Sequence, residues 1–485
     1  MRQPAAPPAV PTPVTSLSRR SLLAGTAAAL PFAAAPALAQ ETDWASLAQA
    51  VKAEMRWAWH QYRAVAWGQD EVKPASGTGQ SFLIRNHSVG LSIVEALDTL
   101  WLMGLDAELE DGVRWIHQHL TFAIDGDAQL FEASIRLVGG LLSGHLATGD
   151  RKLLDLAHDL ASRMMPAFGT PTRMPMRYVN LVTGAIRGNL SNPAEIGGGC
   201  LPEYWTLSQL TGDRRFHDAA LAAMLALIAK RSPLGLYGDA IDVNSGEWTG
   251  RRATVGPPTD SFYEYLWDGW RLTGDTRLRD AYQASATAIK ARMADRSTGL
   301  LWFADTDLDT GARLNADQDE LSAFYPGLLA EGGDLDTARL HMASWIEAQR
   351  RYGILPEGFD VRTWSVTQAT NALRPELADA AFTLWLHDRD DRWRGVARDH
   401  FLAMRRWNKA PHGYSGLIDV AARGTPKTGN ANGIGYFDFD DACPGYWWSE
   451  QMKYYWLIFS DTPRFDYADN YLSTEGNVLR GFRRG

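Results

Sequence analysis

Two kinds of apolar pattern alternate along this chain. Stretches such as Tyr265 to Leu272 and Tyr454 to Phe459 are apolar almost all round, whereas Leu153 to Met164, Phe216 to Lys230 and Leu278 to Met293 space their apolar residues three and four apart with charges between. The first kind predicts a helix enclosed by protein, the second a helix with one wet face. Similar turns recur: Met103-Gly104-Leu105-Asp106, Thr148-Gly149-Asp150, Thr211-Gly212-Asp213, Thr273-Gly274-Asp275, Gly332-Gly333-Asp334, Asp388-Arg389-Asp390 and Ser460-Asp461. Successive closing Asp residues lie 44 to 71 positions apart, which leaves room for two helices and a long loop per unit.

Seven helical hairpins predict an all-α, single-domain (α/α)7 barrel, with the apolar helices as its inner ring and the amphipathic ones outside. Loops rich in Gly, Pro and Asn, residues 169–192 and 423–435, fall where inner helices begin and are expected to build a cleft there. An open helical array is the competing arrangement, and the acids weigh against it. Glu95, Glu203, Glu264, Asp379 and Glu450 each precede a closing Asp by ten or eleven residues, so they share one height on five helices. Ionised carboxylates resist burial among Trp, Tyr and Leu unless a cation or a ligand accompanies them. Convergence of the five around an axis therefore predicts a site.

Composition narrows the class. With 45% hydrophobic and 22% charged residues the chain is ordinary globular material. Residues 1–39 read as a twin-arginine signal peptide: Arg19-Arg20, an Ala-rich apolar run, then Ala37-Leu38-Ala39. A mature barrel of residues 40–485 is then expected to be exported, periplasmic or secreted, with no membrane anchor. Loss of Arg2, Arg19 and Arg20 moves the formal charge from −9 to −12, which makes nucleic acid an improbable partner. No protein partner is evident. Cys200 and Cys443 form no CxxC pair and no disulfide framework, although a single bridge between them is left open.

Three further acids sit nearer the starts of the same helices. Asp260 is four residues before Glu264, Glu376 three before Asp379, and Glu132 opens the helix that reaches Asp150, with Arg136 one turn on and Arg374 beside Glu376. Acids are common in first helical turns, where they complement the helix dipole, but their coincidence at one end predicts a charged mouth. Aromatic residues, 19 Trp, 16 Tyr and 17 Phe, supply faces that stack on pyranose rings. Two carboxyls across a sugar are the minimum equipment for glycoside hydrolysis. No GxSxG elbow, HExxH pair or GxxxxGK loop offers another chemistry. His87, the run Gly197-Gly198-Gly199 and the acids from Asp438 to Asp441 are read as loop features.

At these residues the chain resembles glycoside hydrolase family 47, the class I α-mannosidases, and reads as an exported bacterial member. Trp67-Gly68-Gln69-Asp70-Glu71, Val94-Glu95-Ala96-Leu97-Asp98-Thr99-Leu100, Phe131-Glu132-Ala133-Ser134-Ile135-Arg136, Asp260-Ser261-Phe262-Tyr263-Glu264-Tyr265, Leu373-Arg374-Pro375-Glu376 and Ser449-Glu450-Gln451-Met452-Lys453-Tyr454 are similar to family segments in the same order. The resemblance implies a calcium-dependent enzyme that removes terminal α-1,2-linked mannose from oligosaccharides with inversion. It implies catalytic roles for Glu132 (general acid), Glu376 (general base) and Asp260, with the roles of Glu132 and Asp260 exchangeable. Arg136, Arg374, Asp379, Tyr446 and Glu450 would bind sugar. Thr474 would ligate calcium directly, and Glu376, Asp379, Glu450 and Glu475 through water. The chain departs from the family at Glu320 (a His there), Ala323 (a disulfide Cys), Pro258, and Cys443-Pro444-Gly445-Tyr446, which bears on the glycan preferred more than on the reaction. A silent mannose-binding, lectin-like relative and another (α/α)-barrel enzyme such as a sugar epimerase are the alternatives. The retained acids oppose the first and the dispersed His the second.

Overall fold

The computed structural model describes residues 42–421 and 438–483. The expected signal segment and the loop 423–435 lie outside the described residues. Among those described, fourteen helices form two rings. The inner ring comprises α2 (Leu91–Leu102), α4 (Gly139–Thr148), α6 (Leu201–Thr211), α8 (Asp260–Thr273), α10 (Tyr325–Glu331), α12 (Glu376–Asp388) and α14 (Met452–Phe459). The outer ring comprises α1 (Trp44–Val65), α3 (Asp106–His119), α5 (Arg151–Met164), α7 (Arg215–Ile228), α9 (Thr276–Arg292), α11 (Leu335–Tyr352) and α13 (Asp391–Trp407). This is the expected (α/α)7 barrel.

The Thr-Gly-Asp turns explain the repeated geometry. Thr148, Thr211 and Thr273 each donate a hydroxyl hydrogen bond to the carbonyl four residues back, and each accepts from the N–H of the following Asp. Between them Gly149, Gly212 and Gly274 adopt φ of 82°, 78° and 76°, the left-handed cap that ends an inner helix. Asp150 and Asp275 then accept the N–H groups of Lys152 and Arg277 and so start the outer helix. One tripeptide therefore closes one helix and opens the next, which fixes where these three inner helices stop.

One expectation is corrected. The seventh turn, Ser460-Asp461, opens no helix; α1, first of the described helices in sequence, packs on α14 instead, with Trp44 stacked on Phe459 at 5.9 Å. The ring is thus closed by the two chain ends. Within this all-α barrel the outer-to-inner connections carry short strands in seven small antiparallel sheets among the described residues. Several of these sheets pair successive connections, as Asp127–Gln129 with Tyr178–Asn180 and Asp317–Asp319 with Gly358–Asp360. They stitch the long loops into a collar at the mouth, while short turns occupy the rear.

The final hairpin, Tyr471–Leu472 paired with Val478–Arg480, enters the lumen from the rear. Its tip carries Thr474 and Glu475. Gly476 at the tip has φ of 69°, and a Cβ there would lie 2.9 Å from the Ser449 carbonyl oxygen, so both the turn and the close approach require glycine. Asn477 donates to the Ile135 carbonyl at 2.8 Å, and the Val478 N–H to Asp98 at 3.0 Å, which lean the hairpin against α2, α4 and α14.

Candidate active site

A cavity of about 350 Å³ occupies the rest of the lumen. Glu132, Asp260 and Glu376 all line it, as do Arg136, Arg374, Asp379, Tyr446, Glu450, Thr474 and Glu475. Every residue to which the family resemblance assigns a role is therefore brought to one chamber. The five-acid ring is not: Glu264, Asp379 and Glu450 face the cavity, whereas Glu95 and Glu203 are buried outside it.

Glu376 is the first residue of α12, and one of its oxygens is buried with no hydrogen-bond partner. Burial pushes its carboxyl up to about 8, against the opposing pull of Arg374. One turn on, Asp379 is pushed up to about 7 by burial and by the nearby Glu331. Burial also raises Asp260, at the start of α8, although the Ser261 N–H donates to it at 2.8 Å. Glu264, raised well above its ordinary value by burial and by Asp379, accepts the Thr474 hydroxyl at 2.7 Å.

Glu132 has a different setting. Its Oε2 accepts from Arg136 Nε at 2.6 Å, and the same guanidinium reaches Glu95 at 3.1 Å and also holds Glu475. Arg136 lies in a π-helical turn, Ala133–Val138, that precedes α4, and Glu450 lies in another, Trp447–Gln451, that precedes α14. Such turns recur at functional sites because they re-aim side chains that regular spacing would place elsewhere.

Arg374 does not pair with its neighbour Glu376. Its Nε donates to Glu357 at 3.0 Å. Tyr446 is fixed by a 2.6 Å hydrogen bond from its hydroxyl to the Ala372 carbonyl, and the guanidinium groups of Arg374 and Arg136 lie 5.4 and 5.7 Å from its ring centre. Its ring is thus engaged by two cations in this structure. Glu320, standing where the resemblance implies a His, is wholly buried behind the cavity with neither oxygen hydrogen-bonded. Cys200 and Cys443 are both free, so the open disulfide does not form. Asp440 and Asp441 accept from Ser415, Ala75 and Ser76, and His87 sits in a bridge to Ile84 outside the cavity.

Sequence reasoning assigned no role to Glu264, Asp268, Arg271, Glu331 or Glu357. Glu264 had a signal, its place in the acidic ring. Glu357 had none, since it lies in a connection without periodicity.

In charge terms the chamber is lopsided: ten carboxylates and three guanidinium groups line it. Such a set holds either protons or a cation, and it can grip a polyhydroxylated ligand through many acceptors. Among the described residues no three His, Cys, Asp or Glu stand close enough to clasp an ion directly. None of the described helices is long and apolar enough to cross a membrane.

The sequence profile of glycosyl hydrolase family 47 matches residues 54–481. "Alpha-mannosidase I MNS4" of Arabidopsis thaliana is 35% identical over 86% of this chain and 67% of its own length. "Mannosyl-oligosaccharide 1,2-alpha-mannosidase IB" of Mus musculus is 32% identical over 84% of this chain and 66% of its own, so the chain spans about two thirds of these relatives. The solved alpha-1,2-mannosidase from Trichoderma reesei has the same fold, with a TM-score of 0.77 at 23% identity over 90% of this chain and 99% of that one.

Proposed function

Because the chain belongs to glycosyl hydrolase family 47 and is by that membership a glycoside hydrolase, we propose that it removes terminal α-1,2-linked mannose from oligosaccharides, with inversion and with a bound calcium ion. The observation that carries this reading is the single chamber in which Glu132, Asp260 and Glu376 meet the Thr474 tip.

The residues fit calcium, a hard cation that prefers oxygen. Thr474 donates its proton to Glu264, which leaves the hydroxyl lone pairs free for a cation. Glu376, Asp379, Glu450 and Glu475 line the same chamber as Thr474 and would hold the ion's waters. A bound calcium ion supplies the positive charge that lets these shielded acids ionise, and it orders water and sugar hydroxyls.

Glu376, once ionised, draws the proton from the attacking water. Its oxygen without a protein partner is the group free to do so. Asp260, lifted by burial, is suited to hold the proton for the leaving oxygen, while Glu132, clamped by Arg136, fixes the sugar beside it. Arg374 and Arg136, held by Glu357 and Glu132, hold Tyr446 between them at the chamber wall. We also propose export by the twin-arginine route, on the strength of the N-terminal segment alone. The epimerase alternative loses support because no histidine lines the chamber among the described residues.

Incubation with α-1,2-mannobiose, followed by NMR, tests the reaction. β-Mannose as the first anomer, lost on chelation and restored by calcium, is expected. First release of α-mannose overturns inversion, and binding of the disaccharide without any cleavage establishes the lectin-like alternative.

A further inference from the structure

The hairpin fills only one side of the lumen. It leans on α2, α4 and α14, and the chamber continues past its tip along α8, α10 and α12 to Arg271, Glu331 and Leu386. From Asp260 to Arg271 the wall follows α8 for eleven residues, about 16 Å at the helical rise. Glu331 is the last residue of α10, immediately before the exposed rear turn at Gly333. The chamber therefore reaches from the collar to the opposite end of the barrel.

At that rear end an ion pair stands among apolar side chains that include Leu386 and Leu472. Arg271 donates to Glu331 at 3.0 Å and to the Asn470 carbonyl at 3.0 Å, and the ion-paired side chains keep 28% and 24% of their surface exposed. Between this bridge and Thr474 the wall presents Glu264, Asp268 and Asp379 in succession. An acid-lined conduit concentrates cations and repels anions. Arg271 is the single guanidinium in this rear stretch.

We propose that this stretch is a rear passage through which a divalent cation exchanges between solvent and the Thr474 site while a glycan occupies the mouth, with the Arg271–Glu331 bridge as its gate. The proposal rests on the calcium reading above. Its physical basis is the separation of routes: the sugar enters through the collar past Glu132 and Tyr446, whereas a cation from the rear meets the Arg271–Glu331 ion pair and then Asp268, Asp379 and Glu264.

Calcium content of the mature holoenzyme is first measured by equilibrium dialysis. Calcium release into a fluorescent chelator is then followed by stopped flow, with and without a saturating sulfur-linked analogue of α-1,2-mannobiose. Release within about twofold of the free rate is expected in the presence of the analogue, because the mouth is not the exit. Leu386→Phe, which narrows the rear, is expected to slow release by about threefold or more. Arg271→Gln, which opens the gate and removes its positive charge, is expected to speed exchange by about threefold or more. The two substitutions act in opposite directions, so a general loss of structure cannot reproduce the pattern. Release blocked by the analogue, with both variants keeping the parental rate, overturns the passage and leaves calcium at Thr474 intact. Absence of bound calcium at equilibrium overturns the calcium reading, and the passage with it.

Discussion

The two sides of the lumen use the same residue types to opposite ends. On the side filled by the hairpin, each buried charge meets a fixed partner: Lys453 bonds Asp98 at 2.7 Å, Ser143 and the Val478 N–H complete that carboxylate, and Arg136 spans Glu95, Glu132 and Glu475. On the open side Glu264, Asp268, Glu376 and Asp379 are shielded from water yet short of cations, and burial pushes all four up. The contrast is one of partners: the hairpin side supplies fixed cations to its acids, Glu132 and Glu475 in the chamber wall among them, and the open side does not. A buried carboxylate left without a cation is a candidate for binding one.

Substitutions on the two sides should break in different ways. Glu376→Gln on the open side is expected to lower kcat by about a thousandfold or more, in the range of a lost general base, with little change in melting temperature. Parental activity in that variant would remove Glu376 from the chemistry. Lys453→Met on the filled side leaves Asp98 buried and unpaired, and is expected to cost about 3–5 kcal/mol in denaturant unfolding. A loss below about 1 kcal/mol would show that water reaches Asp98 and that this side is not dry.

Glu203 sharpens the comparison, because it is wholly buried on the filled side with only the Tyr265 hydroxyl donating to it at 2.5 Å. Burial pushes its carboxyl from 4.5 up to about 8. The folded chain then retains a proton that the unfolded chain has already released, so stability falls as pH rises through that interval. Glu203→Gln should remove this part of the slope and gain roughly 1 kcal/mol or more on the parent at pH about 8, with little difference below about 4.5. Urea unfolding of both proteins across that range checks it, and parallel pH profiles would reject a protonated Glu203. The smallest effect belongs to a carboxylate in neither half. Asp275→Ala removes the cap of α9 together with an exposed ion pair to Arg277, and is expected to cost about 1 kcal/mol with unchanged kcat. A larger cost, or a change in kcat, would mean that the lumen is coupled to the rear turns.

Much of the barrel was legible because its signals are local. The Thr-Gly-Asp tripeptides encode both a helix end and a helix start, and Glu376 and Asp379 announce one face by their spacing. Two features carried no such signal. The strands of the collar are two or three residues long, too short for an alternating pattern to stand out, and their partners lie in other loops. The closing helix α1 pairs with α14 almost the whole chain away, and periodicity says nothing about partners.

The sequence by itself determined the ring of helices, the height of the acids and the end at which they gather, because helix periodicity and caps act within a few residues. Only the tertiary structure decided which acids serve the fold and which face the chamber. That division depends on where ten residues after the last helix lean, through Asn477 to Ile135 and Val478 to Asp98, and such contacts join positions more than 300 residues apart. A carboxylate's burial and partners belong to the assembled lumen, and no stretch of chain holds them alone.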